Sequence, residues 1–234
     1  MPAQLQIAID GAAGTGKSTI GEHLARRIGA LFVDTGAFYR TLAYLALRAG
    51  INPDDAAALG RLAREMDIQI VSPAVGSGRQ YTVLVDGLDV TPQLRSTQVE
   101  ALVSRVSRHP EVRAVMRERQ REVADARRVV MVGRDIGTVV LPGADLKIHL
   151  VTSLAARAER RHGDLVAKLG AAAPSLDEVR AEIAQRDALD APNMQVAQDA
   201  VEIDNTHLES DDVVRRILAL LDARAHSGAS ASGG

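Results

Sequence analysis

Residues 11–18 read Gly-Ala-Ala-Gly-Thr-Gly-Lys-Ser, and they meet the phosphate-loop pattern G-x-x-x-x-G-K-[ST] at every required position. Leu5-Gln6-Ile7-Ala8-Ile9, just before, is apolar and β-branched enough for a strand; Ile20, Leu24 and Ile28, just after, recur at helical spacing. The octet therefore joins a strand to a helix. Gly11, Gly14 and Gly16 let backbone amides turn inward around an anion without Cβ clashes. The helix that follows points its positive end at the same place. In this pattern Lys17 reaches the β/γ-phosphates and the Ser18 hydroxyl ligates Mg²⁺. The expected contacts to a nucleoside triphosphate are Gly11, Ala12, Ala13, Gly14, Thr15, Gly16, Lys17, Ser18 and Thr19. The bland alternative is a glycine-rich turn that binds nothing.

A chain of 234 residues suits one medium α/β domain with inserted lobes. Hydrophobic residues make up 46% and aromatic residues 2%, so Ala, Val, Leu and Ile must build the core. The net charge of −2 and the lack of a basic tail argue against bulk nucleic-acid or membrane-surface binding. There is no apolar run of transmembrane length and no signal peptide, so a cytoplasmic location is expected. With no cysteine there is no disulfide framework and no thiolate metal site. His23, His109, His149, His162 and His207 are scattered and read as surface or structural residues.

Outward from the loop, residues 30–33 read as a second strand, 37–49 and 55–65 as helices. Residues 68–71, 81–85 and 88–90 are short, β-branched and separated by Pro, Gly and Asp-Gly, which predicts a small antiparallel meander. Helices follow at 96–107 and 111–126. Val129-Val130-Met131-Val132 is a continuous apolar run, expected of a strand buried on both faces. A strand at 146–151, a charged helix at 153–168, a loop at 170–174, a helix at 175–188, a strand at 201–204 and a helix at 211–224 complete the pattern. Residues 226–234 read as a flexible tail. Strands alternating with helices imply a parallel, helix-covered sheet that binds ligands at the carboxyl ends of its strands.

The acceptor side is carried by Asp34-Thr35-Gly36-Ala37-Phe38-Tyr39-Arg40 and Gly133-Arg134-Asp135-Ile136-Gly137-Thr138. With the phosphate loop, these segments resemble the bacterial cytidylate kinases over nearly the whole chain, from about Leu5 to Leu221. Further stretches appear in order: Leu94-Arg95, Pro110-Glu111-Val112-Arg113, Leu141 to Lys147, Arg186-Asp187 and Ala200 to Asp204. The resemblance implies an α/β phosphate-loop nucleoside monophosphate kinase fold. That fold has a parallel five-stranded core sheet with helices on both faces, a small β-rich acceptor-binding insertion and a helical lid. The core is then 1–50, 128–152 and 200–225, the acceptor lobe about 51–127 and the lid about 153–199.

It also implies ATP- and Mg²⁺-dependent phosphorylation of CMP and dCMP by a monomer that binds nucleotides and no nucleic acid or membrane. Arg40 and Arg134 resemble the two guanidiniums that hold the acceptor phosphate, as a planar fork suits phosphate oxygens. Thr35 resembles the hydroxyl that touches it, with a helix N-cap as the alternative. Ser104, Arg113 and Asp135 align with the readers of the cytosine edge. A carboxylate suits its exocyclic amine and a guanidinium its O2/N3 edge; Ser104 is as readily a solvated helix serine. Arg186 and Asp190 match contacts to the sugar hydroxyls, or a charged helix face. Arg157, Arg160 and Arg161 lie on the lid, with Arg160 at the position against adenine; an ordinary basic helix face is the alternative. Lys17, Arg40, Arg134, Arg157 and Arg161 form the catalytic charge.

The chain departs from the family's pattern in three places. Val132 stands where Asp-Gly-Arg-Asp usually begins, so a carboxylate that helps organise Mg²⁺ is replaced, with Asp34 or Asp10 as substitutes to test. Leu189 and Asn193 replace two lid arginines, and Met194 to Gln198 replaces a segment richer in proline and leucine. These departures leave open two alternatives. One is a cytidine-nucleotide-binding regulator or pseudokinase with weak or no turnover. The other is a kinase for a modified cytidine nucleotide.

Overall fold

A computed structural model describes residues 4–125 and 127–231. Strand β1 (Leu5–Gly11) leads through the loop into α1 (Lys17–Ile28), then β2 (Leu31–Asp34), α2 (Gly36–Arg48) and α3 (Ala56–Glu65). A meander follows: β3 (Ile68–Val71), β4 (Thr82–Val85) and β5 (Leu88–Asp89). Then come α4 (Thr97–Ser107), α5 (Pro110–Ala124), β6 (Arg128–Gly133), β7 (Leu146–Val151), α6 (Leu154–Leu169), α7 (Leu176–Asp190), β8 (Val201–Asp204) and α8 (Ser210–Ala231).

Five strands form a parallel sheet of order β2-β6-β1-β7-β8. Ile7 pairs with Leu146 and Ile148 with Val201. On β6, Val129 to Val132 are all buried, at most 1% exposed, on successive residues that face opposite sides of the pleat. That is the signature of a strand covered on both faces, and each such side chain contributes roughly 1.5–3 kcal/mol through burial. The second sheet, β3-β4-β5, is antiparallel as expected.

The chain divides into two compact units, one of residues up to Gln6 with Gly29–Met131, the other of Ile7–Ile28 with Val132 onward. In the first, α2 packs on α4 and α3 on α5. In the second, α1 packs on α8 and α6 on α7, where Ala158, Val179 and Ile183 form a small apolar core with Leu154 and Leu165. Asp55, Ser96, Ser153 and Ser175 cap α3, α4, α6 and α7; Ser175 and Glu178 form a reciprocal capping box.

One local expectation needs correction. The last helix continues from 224 through Ala231, because Ala and Ser carry no stop signal and Gly228 alone does not end it; residues 232–234 lie outside the described residues. The stretch after Asp135, to which the sequence assigns no element, forms a wide helical turn, Ile136–Val140. Among the described residues no helix is long and apolar enough to cross a membrane.

Candidate active site

The second unit carries the loop. Gly11, Gly14 and Gly16 adopt φ of +153°, +79° and +84°, values that L side chains rarely take. A Cβ on Gly11 would lie 2.6 Å from the Leu150 carbonyl oxygen, so glycine there is a packing requirement as well. The Thr15 hydroxyl donates to the Ala12 carbonyl at 3.0 Å. Asn205, buried just past β8, donates from Nδ2 to the Thr15 carbonyl at 2.8 Å and accepts from the Thr152 hydroxyl. Lys17 Nζ donates to the carbonyls of Gly11 and Ala12 at 2.7 and 2.5 Å. The ammonium thus lies over the loop it is expected to serve. Ser18 stands in the first turn of α1.

Residues expected on the lid meet the loop inside this unit. Arg157 is 6% exposed. Its Nε donates to Thr152 O at 3.2 Å, and its Nη1 to Ala13 O at 3.0 Å. Both terminal nitrogens also hold Asp187, at 3.0 and 2.6 Å. A guanidinium fork on a carboxylate is the strong, directional form of this interaction. Arg160, exposed, donates to Asn205 O at 2.8 Å and Thr206 O at 3.2 Å. Arg161 is exposed on the same helix, beside it in sequence. Arg134, at the end of β6, pairs with Asp190, and Arg186 Nε stands 3.9 Å from the same carboxylate. Asp190 is therefore engaged by two arginines also expected to bind the acceptor. Leu189 is 69% exposed. The side chain of Asn193 lies outside what the structure describes.

Of the two carboxylates expected to stand in at Val132, Asp10 is committed elsewhere. Its two oxygens accept the amides of Ile136 and Gly137 at 2.8 and 2.7 Å. Burial pushes its pKa up, and Asp135 adds to this; the two amides and Lys17 pull the other way.

The first unit holds the rest of the expected acceptor residues. Asp34 accepts the Gly36 amide at 2.9 Å through Oδ1; its Oδ2 stands 3.5 Å from Arg40 Nη1 and 3.7 Å from Arg95 Nη2. Asp34 is thus also occupied. Arg40 Nε donates to Glu100 at 3.1 Å, whereas its Nη1 is buried without a hydrogen-bond partner. Burial works against the charge on Arg40, but Asp34, Tyr81 and Glu100 outweigh it and raise the pKa. A Cβ on Gly36 would lie 2.9 Å from Arg40 Nη1, so glycine lets the guanidinium lie over the turn. Thr35 sits at the N-cap position of α2, without a side-chain capping bond. Ser104 is exposed on α4 and Arg113 half-buried on α5. Arg95, Tyr81, Glu100, Asp187 and Asn205 take part in these arrangements without having been expected as site residues. Their roles arise from tertiary pairing, which sequence spacing does not report.

Among the described residues no group of three or more His, Asp or Glu could hold a metal ion. The hard hydroxyl oxygen of Ser18 still fits Mg²⁺, a cation that takes most of its ligands from substrate phosphates and water.

Residues 7–223 match the family model described as cytidylate kinase. A cytidylate kinase of Chloroflexus aggregans is 51% identical over 212 residues, 91% of each chain. One of Roseiflexus castenholzii is 48% identical over 225 residues, 96% of each chain. A bifunctional pantoate ligase/cytidylate kinase of a Synechococcus is 41% identical over 96% of this chain and 46% of its own. Among solved structures, a gluconokinase from Sinorhizobium meliloti superposes with TM-score 0.50 at 17% identity, covering 100% of both chains, a likeness of fold alone.

Proposed function

The chain belongs to the cytidylate kinase family, and from that premise we propose that it transfers the γ-phosphoryl group of ATP to CMP and dCMP. An oxygen of the acceptor phosphate forms the new bond to the γ-phosphorus while the bond to the β-phosphate bridging oxygen breaks, giving ADP and CDP or dCDP. The acceptor phosphate is already ionised, so no protein base is required. The observation that carries this reading is the loop: three positive-φ glycines at the junction of β1 and α1, with the Lys17 ammonium on the carbonyls of Gly11 and Ala12.

Loop amides and Lys17 hold the donor phosphates, which requires Lys17 to exchange carbonyls for phosphate oxygens. Ser18 would hold Mg²⁺, which when bound neutralises charge across the β- and γ-phosphates. Arg40, Arg134 and Thr35 take the acceptor phosphate; Asp135, Arg113 and Ser104 read the base; Arg186 and Asp190 meet the sugar. Arg161 adds positive charge around the transferring group, and Arg160 lies against adenine. Arg157 joins the lid helices to the loop through Asp187 and Ala13, so that closing the lid and shaping the loop are one event. Phosphoryl transfer leaves little covalent work to the protein, and positioned charge supplies most of the acceleration.

The test is coupled ADP release with ATP and Mg²⁺ across CMP, dCMP, UMP, AMP and GMP. The expected result is rapid turnover on CMP and dCMP alone. Absence of turnover, with CMP still bound in calorimetry, overturns the reading in favour of a nucleotide-binding regulator.

A further inference from the structure

The turn that carries Arg134 and Asp135 has an unusual support. Beyond β6 the backbone enters the wide turn Ile136–Val140, in which the amides of Val139 and Val140 return to Asp135 O at 2.8 and 3.2 Å and that of Leu141 to Ile136 O at 2.7 Å. As at the start of any helix, the first amides have no partner within the turn itself. Those of Ile136 and Gly137 are taken by Asp10, which lies 126 and 127 residues earlier in the chain and is 6% exposed. Each amide has its own carboxylate oxygen. Two bonds to one planar group fix both the position and the tilt of the peptides directly after Asp135.

The surroundings of the turn are tight. A Cβ on Gly137 would meet Lys147 Cδ at 3.2 Å and Asp10 Oδ2 at 3.3 Å. Lys147 is itself held, its Nζ bonded to Asp199 at 2.9 Å. Asp10 is also the residue directly before Gly11, where the phosphate loop begins. One side chain thus ties the start of the donor loop to the turn that bears the acceptor residues.

We propose that Asp10 is a positioning residue for the acceptor nucleotide: its carboxylate, bonded to the Ile136 and Gly137 amides, sets where Arg134 and Asp135 meet the acceptor relative to the donor loop. The inference rests on the reading of Arg134 and Asp135 as acceptor contacts. Misplacing such groups by about 1 Å costs on the order of 100-fold, and loss of an outer partner that orients a binding group costs roughly 10- to 100-fold.

The experiment compares wild type with Asp10→Asn. Asparagine has the same shape but offers one accepting oxygen, and its NH₂ opposes the second amide. The KM for CMP is expected to rise roughly 10- to 100-fold and the CMP-over-UMP ratio of kcat/KM to fall about tenfold. The KM for ATP should stay within about threefold, since glycines, Thr15 and Asn205 shape the loop independently. A variant with a lower Tm but unchanged CMP KM and unchanged CMP-over-UMP ratio overturns the proposal and leaves Asp10 a structural cap. If Asp10→Asn does not fold, Gly137→Ala makes the same test from the other side, because its Cβ pushes the amide off Asp10. An unchanged CMP KM there also overturns the proposal. Failure of wild type to phosphorylate CMP would be a failure of the underlying reading, visible before any variant is made.

Discussion

Removing Arg157 tests whether the lid helices and the phosphate loop act as one piece. In Arg157→Ala the fork on Asp187 is lost, together with the donors to Ala13 O and Thr152 O. Breaking a fully buried ion pair from one side costs about 3–5 kcal/mol. Here the arginine side chain is 7% exposed but that of Asp187 is 30% exposed, so water recovers part of the stranded carboxylate. The pair then accounts for roughly 2 kcal/mol, a discount on the buried figure. The two lost carbonyl hydrogen bonds add about 0.5–1 kcal/mol more. The total is about 3 kcal/mol, or a Tm lower by roughly 6–12 °C in a chain of this size.

Asp187→Asn keeps the shape and one acceptor, and should cost about 1 kcal/mol. Melting curves and kcat are then measured for both single variants and the double. If Arg157 works through Asp187, both singles lower kcat by similar factors and the double is no worse than Arg157→Ala, with a coupling energy of about 1–3 kcal/mol in stability. Arg157→Lys should rescue little, because a point charge cannot replace the fork. Wild-type kcat in Asp187→Asn beside a loss of more than about 100-fold in Arg157→Ala refutes the reasoning. It would mean that Arg157 acts on the transferring phosphoryl group itself.

Three further outcomes are expected. Leu189→Arg changes a residue that is 69% exposed, so Tm should move by less than about 2 °C while kcat rises several-fold. An unchanged kcat means position 189 never faces the phosphoryl group. Gly11→Ala puts a Cβ 2.6 Å from Leu150 O at φ +153°; it should destabilise by more than about 2 kcal/mol and weaken ATP binding, and a wild-type melting curve with wild-type ATP affinity contradicts this. Asp10 titrates above the usual 3.8 because burial disfavours its charge, so the folded chain holds this proton more tightly than the unfolded one. The stability of wild type relative to Asp10→Asn should therefore fall as pH rises from about 3.8 through the folded pKa, the reverse of an ion-paired carboxylate. Urea unfolding from pH 3.5 to 7 reads it, and a difference that grows with pH rejects the sign.

The strand–loop–helix at the start was legible because its evidence is local: β-branched residues, glycines at fixed offsets and apolar spacing of 3.6. Ile68–Val71, Leu146–Val151 and Val201–Asp204 match their expected spans for the same reason. Val132 could be placed in a buried strand from the run it belongs to. The turn at 136–140 could not be read, because its first two amides are satisfied by Asp10, far away in sequence. Asn205, Asp187 and Arg95 were missed similarly: an Asn after a strand or an Asp on a helix looks ordinary until its partner is known. The end of α8 was misread because Ser-Gly-Ala-Ser composition suggests a tail, whereas a helix already running needs a stop signal to end.

Two arginines of the second unit are each seated on a carboxylate of α7. Arg157 sits on Asp187 and Arg134 on Asp190, the two carboxylates lying three residues apart near the end of α7. On the proposed role of Arg134, a phosphate that takes it displaces Asp190, so the gain is the difference between two charge-assisted pairs, not the whole of one. Phosphate has the advantage of a third oxygen and a higher charge. The carboxylate has the advantage of being tethered. Under that exchange, occupancy of Arg134 and the position of the end of α7 are linked, and a linkage of that kind acts in both directions. Arg157 makes four hydrogen bonds to three residues and is the poorer candidate for exchange. Under the proposed function the two pairs divide the work, Arg157–Asp187 keeping α7 joined to the loop and Arg134–Asp190 exchanging with the acceptor phosphate.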